Sequence, residues 1–287
     1  MADTLPAAPK AALTPAQQSL VLNILRRAAA AEILPRFRSL SGGDIATKSG
    51  PDDLVTTADT AAERMITRAL QSAFPSAVIV GEEACAADPA LIDRIAEAPL
   101  AFILDPVDGT WNFAHGLAVF GVILAVTRFG RPAFGLIYDP VADDWAIADD
   151  QGPAWLERAR GASRPLAVAP GKEVAALTGF VPLHHFAPHH RAQVAATLPG
   201  FARTQTLRCS AHEYRMVAQG QVDFLLTAQL KPWDHAAGVL ICERAGAHAE
   251  LLDGSAYTAA RHEGHLLVAP DKTTWNRIAQ IFAFLND

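Results

Sequence analysis

Apolar positions recur in two rhythms along this chain. Leu20, Val21, Ile24 and Leu25, and again Met65, Ile66, Ala69 and Leu70, return at the spacing of an amphipathic helix. Thr14 followed by Pro15 supplies a cap and a first-turn proline, so the first helix is predicted to run from there towards Pro35. A second is predicted from Thr60 to Phe74. Unbroken apolar runs read as buried strands at Ala77–Val80 and Ala101–Ile103. Longer runs at Val119–Phe129, Ala133–Tyr138 and Trp145–Ala148, joined by short Gly, Pro and Asp turns, predict an antiparallel meander. Turn formers at Gln151–Pro153 and Gly161–Pro165 predict a surface crossover. Beyond it, strands at Ala176–Val181, Val222–Thr227 and Leu266–Ala269 alternate with helices at His189–Leu198, Ala211–Gln219, His235–Ala245 and Thr274–Leu285. The expectation is a single mixed α/β domain over residues 1–287, with halves of roughly 14–155 and 156–287 and a loose Ala/Pro-rich segment at 1–13.

Composition narrows the class. Half of the residues are apolar, enough for a large core, yet no run reaches the ~18 apolar residues a spanning helix needs. Residues 1–10 have acid and prolines where a secretory signal would have a basic start and an apolar core. The three cysteines, Cys85, Cys209 and Cys242, are widely spaced and form no Cys-x-x-Cys pair, which suits reduced thiols in a cytoplasmic protein. A net charge of −6 offers no basic face for nucleic acid and suits an acidic, cation-dependent site.

The acids themselves carry the chemistry. The predicted strand at Ala101–Ile103 runs into Leu104-Asp105-Pro106-Val107-Asp108-Gly109-Thr110, two carboxylates around a proline that fixes the backbone. Hard oxygen ligands in such a pocket suit Mg²⁺ or Mn²⁺. Gly109 and Thr110 then offer backbone N–H groups and a hydroxyl for a phosphate. A turn would use the same residue types. Other acids, however, stand at equivalent places: Asp59 before a helical stretch, Gly81-Glu82-Glu83 after a strand, and Asp234 in the first turn of a helix opened by Pro232. Convergence on one centre follows. Haloacid-dehalogenase-like phosphatases also use an Asp…Asp-Gly-Thr string, but with one residue between the acids. Here two separate Asp105 from Asp108, which argues against an aspartyl-phosphate nucleophile and for attack by water.

Asp59 closing Leu-Val-Thr-x-x-Asp, Gly81-Glu82-Glu83, Asp105-Pro106-Val107-Asp108-Gly109-Thr110-Trp111-Asn112-Phe113 and Trp233-Asp234-His235-Ala236-Ala237-Gly238 occur in this order across most of the chain. In this the chain resembles the inositol monophosphatase family of Mg²⁺-dependent, lithium-sensitive phosphatases. The resemblance implies a layered α-β-α-β-α sandwich of the inositol monophosphatase and fructose-1,6-bisphosphatase type. It implies roughly two or three Mg²⁺ ions, replaceable by Mn²⁺. Glu82, Asp105 and the Val107 carbonyl would hold the first ion, and Asp105, Asp108 and Asp234 the second. Asp59 and Thr110 would orient and deprotonate the water beside Glu82, and Gly109 and Thr110 would cradle the phosphate. A homodimer is the family habit, and a small phosphorylated compound the expected partner.

Departures from the family pattern bear on the substrate. Thr227 stands where inositol-hydrolysing members carry a glutamate, Trp111 replaces a small hydroxyl residue, and Arg208-Cys209-Ser210-Ala211 replaces a Gly-Ser/Thr-Ala-Ala run. A cation at Arg208 could meet a second phosphate or a carboxylate. myo-Inositol monophosphate is the family default, with a 3′(2′),5′-bisphosphate nucleotide or histidinol phosphate as alternatives. An inactive relative serving as a binding or regulatory protein would more readily lack one of these acids. A two-carboxylate glycosidase would leave three acids unexplained. The pairs His184-His185 and His189-His190 have no Cys or Glu at zinc-site spacing and read as a polar loop heading a helix, beside the substrate mouth.

Overall fold

A computed structural model describes residues 11–48, 50 and 53–286. Thr14 caps helix α1 (Pro15–Ala28) in a reciprocal box with Gln17. Strands β1 (Ile45–Thr47) and β2 (Leu54–Thr56) form a small antiparallel hairpin that leads directly into α2 (Thr57–Ala73). Then follow β3 (Val78–Gly81), the short helices α3 (Glu82–Ala87) and α4 (Arg94–Glu97), β4 (Ala101–Asp108) and the one-turn helix α5 (Thr110–Ala114). Strands β5 (Gly121–Arg128), β6 (Arg131–Asp139), β7 (Asp144–Asp149), β8 (Trp155–Arg158) and β9 (Arg164–Pro165) complete a seven-stranded sheet in the order β3 to β9, antiparallel except for the β3–β4 pair. After β10 (Thr178–Phe180), α6 (Pro188–Thr197), β11 (Arg203–Gln205), α7 (Ser210–Ala218), β12 (Phe224–Thr227), α8 (Pro232–Arg244), β13 (His248–Leu251), β14 (Leu266–Ala269) and α9 (Lys272–Ile281), a second sheet has the order β11-β10-β12-β14-β13.

Both sheets are covered on two faces, which is why their strands read as unbroken apolar runs. On β4 and β5, Phe102, Leu104, Val122, Leu124 and Val126 face α1 and α2. The alternate residues Ile103, Ile123 and Ala125 face a middle layer made by Tyr214 and Val217 of α7 and Ala237 and Ile241 of α8. That layer also meets Leu225 and Val268 of the smaller sheet. The far face of that sheet turns Phe224, Leu226 and Leu267 towards Val194 of α6 and Trp275 and Ile278 of α9. The layering is α-β-α-β-α.

Four expectations change. The crossover at 151–165 contains β8 and β9, the last two strands of the large sheet, where Leu156 points inward between exposed Trp155 and half-buried Glu157 and too few residues alternate to betray a strand. The β1–β2 hairpin, β11 and β13 are likewise short elements without a long apolar run. Helix α2 begins at Thr57, not Thr60, because Thr56 caps it and Asp59 answers as the box partner. Of the segment expected to be loose, residues 1–10 lie outside the described residues, while Leu13 is buried against α1 and α2.

Candidate active site

Asp105 and Asp108 are three residues apart on one strand, and regular pleating would send them to opposite faces. The pairing of β4 with β5 shifts between them. Asp105 lies opposite Ile123 and Asp108 opposite Gly121, so β4 carries one extra residue. Pro106, with no N–H to give the ladder, sits in this bulge, and Val107 N–H turns to Asp105 Oδ1 at 3.0 Å. The inserted residue restores the phase, and both carboxylates meet. Asp234, in the first turn of α8, joins them: one oxygen of each of the three lies within 4.8 Å of the others.

Asp108 is held in place by the start of α7. Its Oδ2 accepts Ala211 N–H at 2.6 Å and the Cys209 thiol at 3.0 Å, and its Oδ1 accepts Ser210 N–H at 3.2 Å. Burial pushes the Asp105 carboxyl well above the ordinary carboxylate range, and the negative charges of Glu82, Asp108 and Asp234 push further. Asp108 is raised for the same first reason, against the pull of its three donors. Burial lifts Asp234 to about 8 even though Lys231 opposes it. A packed trio of oxygen donors, which the Lys231 charge offsets only in part, fits a hard divalent ion: the donor type suits it, and each acid is too costly to ionise alone.

Gly109 follows in the left-handed region (φ 86°), where a Cβ would lie 2.8 Å from the Val119 carbonyl. This turn starts α5 and delivers Thr110. The Thr110 hydroxyl is 3.0 Å from both Asp59 Oδ1 and the Val107 carbonyl, and can donate to one of them at a time. Asp59 is fully buried, and its other oxygen accepts Thr56 N–H at 2.9 Å and the Thr56 hydroxyl at 2.5 Å. Burial raises Asp59 to about 6, with the Thr56 and Thr110 bonds pulling the other way.

Glu82 lines the same cleft as Asp108, Gly109, Thr110 and Asp234, but its Oε1 accepts Lys48 Nζ at 2.9 Å and stands outside the close trio. The same ammonium reaches Glu83 at 2.6 Å. Val107 is buried and turns only its carbonyl to the site. Arg208 and Ser210 line the cleft. Ala211, from the same departing run, does not line it: its side chain is buried against Gly121 and its N–H is spent on Asp108. Thr227 is also buried beneath the cleft wall, its hydroxyl 3.1 Å from His185 Nδ1. His184 and His185 line the cleft, whereas His189 and His190 pack against each other with tilted rings at the head of α6, His190 towards Phe284. His235 is a peg, between the Tyr214 hydroxyl at 3.0 Å and the Gln229 carbonyl at 2.5 Å, and burial lowers it to about 4.

Several residues that shape the site escape a sequence reading. Asn112 ties α5 to Val119, ahead of β5, and to the loop before Arg208, through the Val119 and Leu207 carbonyls at 2.9 and 2.8 Å. Glu213 holds the same loop through Thr206 and Leu207, and burial raises it to about 7. Glu63 accepts the amides of Glu83 and Ala84. Their sequence signal is weak, since each is one polar residue on an otherwise ordinary helix.

The layering and the acidic centre together define a family. Residues 17–285 match the inositol monophosphatase family, and the chain belongs to it. It is a phosphatase, a phosphoric monoester hydrolase. Among its relatives is an inositol-1-monophosphatase of Bacillus subtilis, 29% identical over 231 residues that cover 78% of this chain and 82% of that one. A protein of Vibrio cholerae named Nus factor SuhB is 32% identical over 203 residues, covering 70% and 73%. Inositol monophosphatase-II from Staphylococcus aureus shares the fold with a TM-score of 0.76 at 23% identity, over 92% of each chain.

Proposed function

We propose that this enzyme hydrolyses a small phosphate monoester with Mg²⁺ and water, with myo-inositol monophosphate as the family-default substrate. The supporting observation is the trio Asp105, Asp108 and Asp234 beside the Asp59–Thr110 pair. Asp105, Asp108 and Asp234, with Glu82 and the Val107 carbonyl, are the residues that would hold the ions. Bound there, Mg²⁺ would lower the pKa of a water and neutralise charge on the leaving oxygen. The chain's own part is proton handling and orientation. Thr110 can donate its hydrogen to Asp59 while its oxygen accepts one from the attacking water, so the proton lost by water ends on the Asp59 carboxylate. The acid being raised to about 6, it is a stronger base than an exposed aspartate and still mostly ionised at neutral pH. Gly109 and Thr110 at the start of α5 would face the phosphate oxygens.

A bis-anionic substrate, such as a 3′,5′-bisphosphate nucleotide, is the second reading, favoured by Arg208. Its guanidinium lies 4.3 Å from the Trp111 ring centre, and Trp111 stacks on His115 at 4.0 Å. Arg208 itself adopts φ 55°, which costs a non-glycine residue about 1 kcal/mol or more. Lithium inhibition, a homodimer and a cytoplasmic setting belong to the same proposal. The three buried free thiols suit that setting. Among the described residues no helix is long and apolar enough to cross a membrane.

The test is phosphate release at saturating Mg²⁺ across inositol, nucleotide, histidinol and glycerol phosphates. Turnover of none of them would refute the proposal. Arg208→Ala should raise KM about fivefold for bis-anionic esters and leave inositol monophosphate within twofold, since one charge-assisted bond contributes about 1 kcal/mol or more. Equal changes for both would remove Arg208 from specificity.

A further inference from the structure

Glu82 is the first residue of α3, so the direction of its carboxylate is set by how this six-residue helix begins. The helix does not cap itself, because the preceding residue, Gly81, has no side chain to offer. An acceptor arrives from α2 instead. Glu63 Oε2 accepts Glu83 N–H and Glu63 Oε1 accepts Ala84 N–H, each at 2.8 Å. One carboxylate thus satisfies two amides that have no partner inside the helix, from a place where the helix dipole favours negative charge.

The fit has no slack. A Cβ on Gly81 would lie 2.3 Å from Glu63 Cδ and 2.4 and 2.6 Å from its two oxygens. Glu63 is only 6% exposed. An acid buried this far costs free energy that an apolar side chain would not, so packing alone gives no reason for it. What an apolar residue could not supply is a two-point grip on the turn that carries Glu82.

We propose that Glu63 is the positioning residue of the metal site, fixing the first turn of α3 and so aiming Glu82 into the cleft. This rests on Glu82 being a ligand, as proposed above. Glu63 is not among the residues that line the cleft, so it acts through Glu82 and not on substrate. Gly81 belongs to the same device, since its missing Cβ is the space that the Glu63 carboxylate fills.

The test pairs calorimetric Mn²⁺ binding with Mg²⁺-dependent phosphate release, on the wild type, Glu63→Gln, Glu63→Ala, Gly81→Ala and the Glu63→Ala/Gly81→Ala double variant. Glutamine keeps the size but turns an NH₂ towards one of the two amide donors, so one grip is lost. Glu63→Gln should weaken Mn²⁺ binding and raise half-saturating Mg²⁺ about tenfold, the low end for a residue that orients a ligand, with kcat at saturating Mg²⁺ within about threefold. Gly81→Ala alone should weaken Mn²⁺ to a similar degree. Added to Glu63→Ala, where the space is already open, it should change binding by less than about twofold. A Glu63→Gln protein with lowered Tm but wild-type Mn²⁺ affinity would overturn the inference, as would full additivity in the double variant. A wild type that binds no Mn²⁺ at all would be a different result and would remove the metal reading together with this one.

Discussion

Asp144 and Asp223 are buried carboxylates that do not line the cleft, and each has a cation. Asp144 is bonded to the guanidinium of Arg215, itself buried, which also donates to the Asp144 and Ile137 carbonyls. Asp223 takes Lys172 Nζ and Thr178 N–H, both at 2.8 Å. Asp105, Asp108 and Asp234 gather instead within 4.8 Å of one another, and the donors that reach Asp105 and Asp108 are mainly backbone amides and a thiol. These two structural acids are neutralised by the chain. The trio has three carboxylates and only the Lys231 charge acting on Asp234, which separates a charge that holds the fold together from one that the fold holds in readiness.

Removing one charge from each set should give opposite results, and activity in the cleft should show the largest effect. Asp105→Asn should lower kcat at least a thousandfold, on the order of several kcal/mol of transition-state stabilisation. Its Tm should be unchanged or higher, because an asparagine oxygen can still accept Val107 N–H while a repelling charge is gone. Retained turnover would count against the assignment. Arg215→Met should do the reverse, costing about 3–5 kcal/mol of stability by leaving Asp144 uncompensated, with kcat of the folded fraction nearly intact. Urea unfolding beside an activity assay distinguishes the two.

Thr110→Val probes the proton route without touching any carboxylate. A fall in kcat of about a hundredfold, with Mn²⁺ binding preserved, is expected from loss of an oriented general base. Unchanged kcat would mean that Asp59 acts without the hydroxyl. The smallest effect concerns pH. Folding raises Asp59 to about 6 and Asp234 to about 8, so their protonated forms are favoured in the folded metal-free protein. Their contribution to stability is present below the usual carboxylate range and is lost as pH rises through those values. The metal-free protein should therefore lose several degrees of Tm between pH 5 and about 8, and Mg²⁺ should restore them while binding more tightly as pH rises. A metal-free Tm that rises over this window would break the comparison.

The sandwich was legible because its central strands are buried on both faces, so Ala101–Ile103 and Val119–Phe129 stand out as apolar runs. The acids were legible because their neighbours, Pro106, Gly109 and Pro232, impose recognisable backbone choices. What surrounds them was not. Glu63 lies twenty positions from Glu83, and Asn112 ninety-five from Leu207, and such contacts leave no local trace. Ala211 is a related case: its side chain faces Gly121, and only the fold reveals that its amide serves Asp108.

The extra residue between Asp105 and Asp108 makes this centre unusually intolerant of one kind of change. Substitutions there can be graded, larger or smaller, charged or neutral. Deleting a single position cannot, because the strand would fall back into regular step: the two carboxylates, then two apart, would keep one face, but the bulge that turns Val107 N–H to Asp105 and the Val107 carbonyl to Thr110 would be gone. In lineages of this protein, a frame-preserving loss at Pro106 or Val107 would strip the cleft of its Val107 carbonyl while the barely altered sequence still looked intact.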